Sequence, residues 1–147
     1  LAAVRDFDRE LRGPAVLTPH PGEFRRLAAA LALDDDTASP GGRRDAAAEL
    51  ARRLGCVVVL KGAGTVVTDG QRTFVNETGN AALATAGTGD VLTGLIAGLL
   101  AQGLDPERAA ALGVEAHALA GDRAAAHGER GLIASDLLAE LRGVLNP

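Results

Sequence analysis

An α/β fold that closes in a run of helices is what this 147-residue sequence predicts. The run Cys56-Val57-Val58-Val59-Leu60 is unbroken and β-branched, the pattern of a strand buried on both faces of a parallel sheet. A shorter apolar run, Ala15-Val16-Leu17-Thr18, precedes it, and a helical pattern over residues 43–54 lies between. Strand, helix and strand in that order form a βαβ unit. Beyond Gly89 the remaining sequence reads as helices separated by short breaks.

The elements follow in order. Residues 1–13 mix Arg, Asp, Glu and Leu and read as the end of a helix closed by Gly13. Prolines bound the first strand, Ala15–Thr18. Pro21 opens a helix with Glu23 in its first turn, where a carboxylate complements the dipole. Phe24, Leu27 and Leu31 give that helix an apolar stripe at spacings of three and four. Asp34 to Gly42 is an acidic loop bearing Pro and Gly. Arg43 to Leu54 forms a second helix, with Gly55 as its C-cap signal. Thr65–Thr68 and Thr73–Val75 flank Asp69-Gly70, a hairpin signal. Residues 76–88 are small, polar and glycine-rich. Helices are expected from Gly89 to Gln102, from Glu107 to His127, and from Asp136 to Leu145 with Ser135 as N-cap. No internal repeat or linker interrupts residues 1–147, which read as part of a single domain.

Composition narrows the function. Fifteen basic against nineteen acidic residues give a net charge of −4, so no basic surface points to nucleic acid. Trp and Tyr are absent and Phe occurs three times, which removes stacking platforms for single strands. One Cys excludes a disulfide framework and a cysteine zinc site and fits a reducing cytoplasm. The apolar stretch Val91 to Leu104 is too short to span a bilayer, and no signal peptide pattern opens the chain. A first residue of Leu rather than Met reads as a piece of a longer polypeptide. Thirty Ala, fourteen Arg and a single lysine, Lys61, resemble the product of a GC-rich coding sequence. A lysine retained under that bias hints at chemistry, because ammonium and guanidinium are not interchangeable at phosphate sites.

Three segments carry candidate chemistry. In Ala86-Gly87-Thr88-Gly89-Asp90-Val91-Leu92 a glycine-rich loop, a helix start and an acid coincide. Free N–H groups and the helix dipole make such a place an anion site. Asp90 belongs there if it removes a proton from a nucleophile aimed at phosphorus; the plainer alternative is a flexible loop with a dipole-favouring acid. The string is neither G-x-G-x-x-G, since Leu92 stands where the third Gly belongs, nor a Walker A loop. Lys61-Gly62-Ala63-Gly64-Thr65 follows the buried strand directly, where ligands bind in open α/β sheets; a surface lysine before a tight turn is the alternative. Thr18-Pro19-His20-Pro21-Gly22-Glu23 holds the same place after the earlier strand, with His20 fixed between two prolines as a ligand contact; a core histidine is the alternative. His117 and His127, on an Ala-rich helix, read as packing or surface residues. Cys56 reads as a small core residue, and Asn76-Glu77-Thr78 as a chance sequon.

The strings Leu17-Thr18-Pro19-His20-Pro21-Gly22-Glu23, Val59-Leu60-Lys61-Gly62-Ala63, Gly79-Asn80 and Gly87-Thr88-Gly89-Asp90-Val91-Leu92-Thr93-Gly94 resemble the NAD(P)H-hydrate dehydratases. The tail Ala116-His117, Ala120-Gly121-Asp122 and Ile133-Ala134-Ser135-Asp136-Leu137 continues the resemblance, in the same order. These are ribokinase-like enzymes that repair hydrated nicotinamide cofactors. The resemblance implies a three-layer sandwich around a mostly parallel sheet, of which this chain would be the carboxyl-terminal half.

It also implies roles. Asp90 would take the proton of the C6 hydroxyl and contact the substrate, and His20 would touch the hydrate. Gly87, Thr88 and Gly89 would stabilise the transferring phosphoryl group, and Lys61, Gly62, Ala63, Gly64 and Thr65 would hold the nucleotide. Glu23 would act on Mg2+ through water. The co-substrate would be ADP or ATP. Bacterial members of the family generally use ADP and eukaryotic ones ATP, and the Arg- and Ala-rich composition leans to the bacterial side by association. A hydrate epimerase, fused or separate, and a homotetramer are the expected partners. Two alternatives stand beside this: a ribokinase-like kinase of vitamin precursors, and an inactive nucleotide-binding fragment. His20 and Asp90 favour the dehydratase over the thiazole and pyrimidine kinases, which carry Asn and Cys there.

Overall fold

A computed structural model describes residues 15–146; the helix end expected over residues 1–13 lies outside them. The chain divides into two compact units, one reaching to Val75 and one beginning at Asn76.

The first unit is built on a sheet of order β1-β2-β3-β4, with β1 at Val16–Leu17, β2 at Val57–Leu60, β3 at Thr65–Thr68 and β4 at Thr73–Asn76. β1 runs parallel to β2, with Val16 opposite Val57 and Leu17 opposite Val58. β2 and β3 are antiparallel, Val59 facing Val67. The expected α/β class holds, and in this stretch the sheet is mixed. The parallel crossover of the βαβ unit gives way to a hairpin, because a short loop can join only antiparallel neighbours. Every residue of β2 is buried, as its unbroken apolar run requires.

Helix α1 spans Pro21–Leu31 and α2 spans Pro40–Leu54. Phe24, Ala28, Ala47, Leu50 and Ala51 pack with Val58, Leu60 and Val66 into one core. α2 starts three residues before the expected Arg43. Ser39 Oγ accepts the Gly42 N–H at 3.0 Å, and Pro40 takes a first-turn position where its missing N–H costs nothing. Asp36 fastens this cap by accepting the Ser39 hydroxyl at 2.8 Å, which holds its carboxyl below the ordinary value. Cys56 is buried, and burial pushes its thiol up to about 11, as befits an inert core residue.

The second unit is helical: a 3₁₀ turn at Ala81–Ala84, α3 at Thr88–Ala101, α4 at Pro106–Ala124 and α5 at Ala134–Leu145. α4 packs on both α3 and α5. It ends before His127, which is exposed in the following turn. The N-cap of α5 is Ile133 rather than the expected Ser135. Asp136 instead reaches back to accept the Ile133 N–H at 2.9 Å, and the helix starts at Ala134, two residues earlier than expected. Among the described residues no helix is long and apolar enough to cross a membrane.

Candidate functional site

At the carboxyl end of β2 the first unit gathers His20, Glu23 and Lys61. The Lys61 N–H donates to the Pro19 carbonyl at 2.9 Å, so the two strand-end segments are tied through backbone. Arg43 fixes the same corner from α2: its Nη2 donates to the carbonyls of Leu60 at 3.2 Å and Lys61 at 3.3 Å. Its Nε is buried without a partner among the described residues, and burial lowers the guanidinium pKa from its ordinary value.

His20 turns out to cap α1. Its Nδ1 accepts from the N–H groups of Gly22 at 3.0 Å and Glu23 at 3.3 Å, while Glu23 Oε2 accepts the His20 N–H at 2.8 Å. This is a capping box with imidazole in place of a hydroxyl. An accepting Nδ1 puts the ring proton of the neutral form on Nε2, which lies 3.5 Å from Glu23 Oε1. Gly22 leaves room for the ring, since a Cβ there would come within 2.9 Å of the imidazole Cε1 and displace it from the cap. Lys61 Nζ stands 3.9 Å from Glu23 Oε2. The turn Gly62-Ala63-Gly64 is exposed, and Thr65 Oγ1 closes it by donating to the Gly62 carbonyl at 2.9 Å.

In the second unit the glycine-rich loop ends at α3. Gly87 adopts φ +88° as the cap, a conformation that favours glycine. Asp90 N–H and Val91 N–H both turn back to the Gly87 carbonyl, at 3.1 and 3.2 Å. The N–H groups of Gly87 and Gly89 have no protein partner among the described residues. They are orphan donors at the positive end of a fourteen-residue helix, with the exposed Asp90 in its first turn.

The loop is held from below. Thr88 is buried, and its Oγ1 lies 2.7 Å from the Leu83 carbonyl and 2.8 Å from that of Thr85. Helix α4 supplies the remaining ties. Asp122 accepts from the Gly79 N–H and from Asn80 Nδ2, both at 2.9 Å, and His117 Nε2 lies 2.8 Å from the Thr88 carbonyl. The Asn76 side chain is buried and bonded to Thr78 on both its polar atoms, so the sequon is structural.

The sequence reading therefore located the loops and missed three residues that hold them: Arg43, His117 and Asp122. Asp122 and His117 stood in the quoted tail string, without a role. Arg43 carried no local signal for this role, because the strand-end carbonyls that it holds lie seventeen and eighteen residues away.

Three similarities bear on this geometry. The bifunctional NAD(P)H-hydrate repair enzyme Nnr of Moorella thermoacetica is 51% identical over 138 residues, which cover 90% of this chain and 25% of that protein. The ADP/ATP-dependent NAD(P)H-hydrate dehydratase of Bacillus subtilis, co-crystallized with ATP and Mg2+, superposes with a TM-score of 0.81 at 36% identity, covering 92% of this chain and 49% of that one. The ribokinase of Thermotoga maritima, at 22% identity and a TM-score of 0.59, covers 90% of this chain and 42% of that one and shares the fold. The chain thus spans about a quarter of the bifunctional relative and half of the dehydratase. The sequence profile described as NAD(P)H-hydrate dehydratase matches residues 2–142, and the chain belongs to that family.

Proposed function

We propose that residues 1–147 are the carboxyl-terminal half of a single ribokinase-like domain that dehydrates the S epimer of NAD(P)H hydrate at the expense of ADP. The observation that carries this reading is the pair of unbonded N–H groups at Gly87 and Gly89, with the exposed Asp90 carboxylate next to them. An anion site needs donors; a carboxylate set among them needs a proton to take.

Hydroxide is a poor leaving group, and the hydrate must lose one from C6. Asp90 accepts the C6 hydroxyl proton as that oxygen attacks the terminal phosphorus of ADP. The phosphorus–oxygen bond to AMP breaks, and AMP leaves. The N–H groups of Gly87 and Gly89 stabilise charge on the transferring phosphoryl oxygens, whereas the Thr88 N–H, expected to join them, is turned to the Thr85 carbonyl at 3.4 Å. Phosphate then departs from C6 and a proton from the neighbouring ring carbon, which restores the dihydropyridine. Lys61 and the turn to Thr65 hold the nucleotide, and His20, its ring set by the cap, touches the hydrate.

Among the described residues no three His, Cys, Asp or Glu side chains converge on a metal position. Glu23 already receives the His20 N–H and faces an ammonium. This donor set fits a magnesium ion carried on the nucleotide phosphates and reached from Glu23 through water. Bound there, Mg2+ would neutralise phosphate charge. A fused or separate hydrate epimerase would feed the S epimer, as the bifunctional name of the Moorella protein suggests, and the assembly would be a homotetramer in the cytoplasm.

The test is recovery of the NADH absorbance band when the full-length protein receives (S)-NADH hydrate with ADP or ATP. Turnover with ADP that yields AMP and phosphate is the expected result. Phosphorylation of a thiamin precursor with no hydrate turnover would make the protein a kinase instead, and nucleotide binding without any turnover would make it an inactive module.

A further inference from the structure

We infer that His117 is a positioning residue for phosphoryl transfer: it orients and polarises the Thr88–Gly89 peptide whose N–H faces the anion. The identity of that anion rests on the dehydratase reading, whereas the peptide geometry does not.

A backbone carbonyl only accepts hydrogen bonds, so the 2.8 Å contact requires the proton to sit on His117 Nε2. The Thr88 carbonyl and the Gly89 N–H belong to one planar trans peptide and point in opposite directions. A donor on the carbonyl therefore fixes the plane in which the Gly89 N–H is aimed. It also polarises the peptide, and bonds in such a chain strengthen one another. The Gly89 N–H at the far end is unbonded among the described residues, as a donor reserved for a ligand would be.

The surroundings make His117 a fixed support. It is buried on α4 between Ala116 and Ala118, which are themselves buried. Thr88 is buried too, and its hydroxyl anchors the loop to the Leu83 and Thr85 carbonyls. Asp122, farther along α4, grips Gly79 and Asn80. One rigid helix thus holds both ends of the glycine-rich loop, and donors to a transition state act only when held within tenths of an ångström. A packing histidine would need volume; this one also spends its Nε2 proton on a peptide that carries one of the two unbonded donors.

Two variants separate these roles in the full-length protein. H117F keeps a ring and loses the donor, while H117Q keeps an amide N–H at about the reach of Nε2. Deleting such a donor outright typically costs about a hundred- to a thousandfold in rate, and misaiming it less. H117F is expected to lower kcat roughly ten- to a hundredfold with the ADP KM within about threefold of wild type, and H117Q to return kcat to within about fivefold. Equal loss of kcat in both folded variants, or an unchanged kcat in H117F, overturns the inference. The Gly89 amide nitrogen, followed by NMR in labelled protein, gives a reading that needs no turnover. It should move more than the other amides of α3 in H117F and stay near its wild-type position in H117Q. If H117F does not fold, H117Q decides alone: a wild-type Gly89 signal with kcat within about fivefold supports the role, and a larger loss overturns it. If the wild-type protein turns over no hydrate, the dehydratase reading falls while the Gly89 signal still judges the peptide, and an unmoved signal in H117F overturns the inference.

Discussion

Asp90 sits where two demands conflict. As a first-turn carboxylate it complements the α3 dipole, yet beside the unbonded Gly87 and Gly89 N–H groups it opposes any anion they bind. In the proposed reaction the use of this exposed carboxylate would be to accept a proton. Asp90→Asn preserves size and removes that capacity, so single-turnover regeneration of NADH should fall about a hundred- to ten-thousandfold. Nucleotide affinity measured by calorimetry on the same protein should hold or tighten, since a negative charge beside the phosphates is gone. A variant that keeps more than about a tenth of the rate would return Asp90 to the role of a dipole carboxylate. His20 teaches the complementary lesson. Its rigid placement between prolines was legible in the sequence, but the capping box was not, because imidazole is seldom read as an N-cap.

Periodicity carries the elements, and side-chain caps decide their ends. β2, α1 and the β3–β4 pair were readable because an apolar run, a three–four stripe and Asp69-Gly70 are local signals. The start of α2 was not, since Ser39 and Pro40 read equally as loop residues until Asp36 is seen holding the cap. The sheet's mixed character likewise depends on which strands pair, a long-range fact that composition does not carry. In the hairpin, Asp69 Oδ1 accepts the N–H groups of Gln71 at 2.8 Å and Arg72 at 2.7 Å. Those bonds hold its carboxyl below the ordinary 3.8. The folded chain therefore releases this proton more readily than the unfolded one. Its contribution is complete above pH 3.8 and is lost as pH falls through the lower folded value. Asp69→Ala should cost about 1 kcal/mol at pH 7, two exposed bonds discounted for solvent. The gap in denaturation midpoint between variant and wild type should narrow below that pH. A gap that stays constant into acid would show that the ionised carboxylate adds nothing to the turn.

At the scale of the whole molecule, the loops proposed to take the nucleotide lie at the end of β2 and at the start of α3, and each is braced by residues distant in sequence: Arg43 for the first, His117 and Asp122 for the second. Binding to such braced loops should stabilise the folded state by mass action, since the unfolded chain has no loop to offer. At free ADP a hundredfold above its Kd the full-length protein should gain about 2.7 kcal/mol. For a domain of the family's size that is a rise in thermal midpoint of roughly 5–10 °C. Lys61 is the residue to perturb, as the only lysine of the sequence and an ammonium held 3.9 Å from Glu23. Losing one charged hydrogen bond to phosphate costs about 1.5–3 kcal/mol, or roughly ten- to a hundredfold in Kd. At the same ADP concentration, Lys61→Ala should then retain only about 0.4–1.4 kcal/mol of the ligand's stabilisation. Scanning calorimetry of both proteins with and without ADP measures this directly. An ADP-induced rise that is equal in the two would make Lys61 a surface residue paired with Glu23. No rise with either ADP or ATP in the wild type would remove the nucleotide from the proposed reaction altogether.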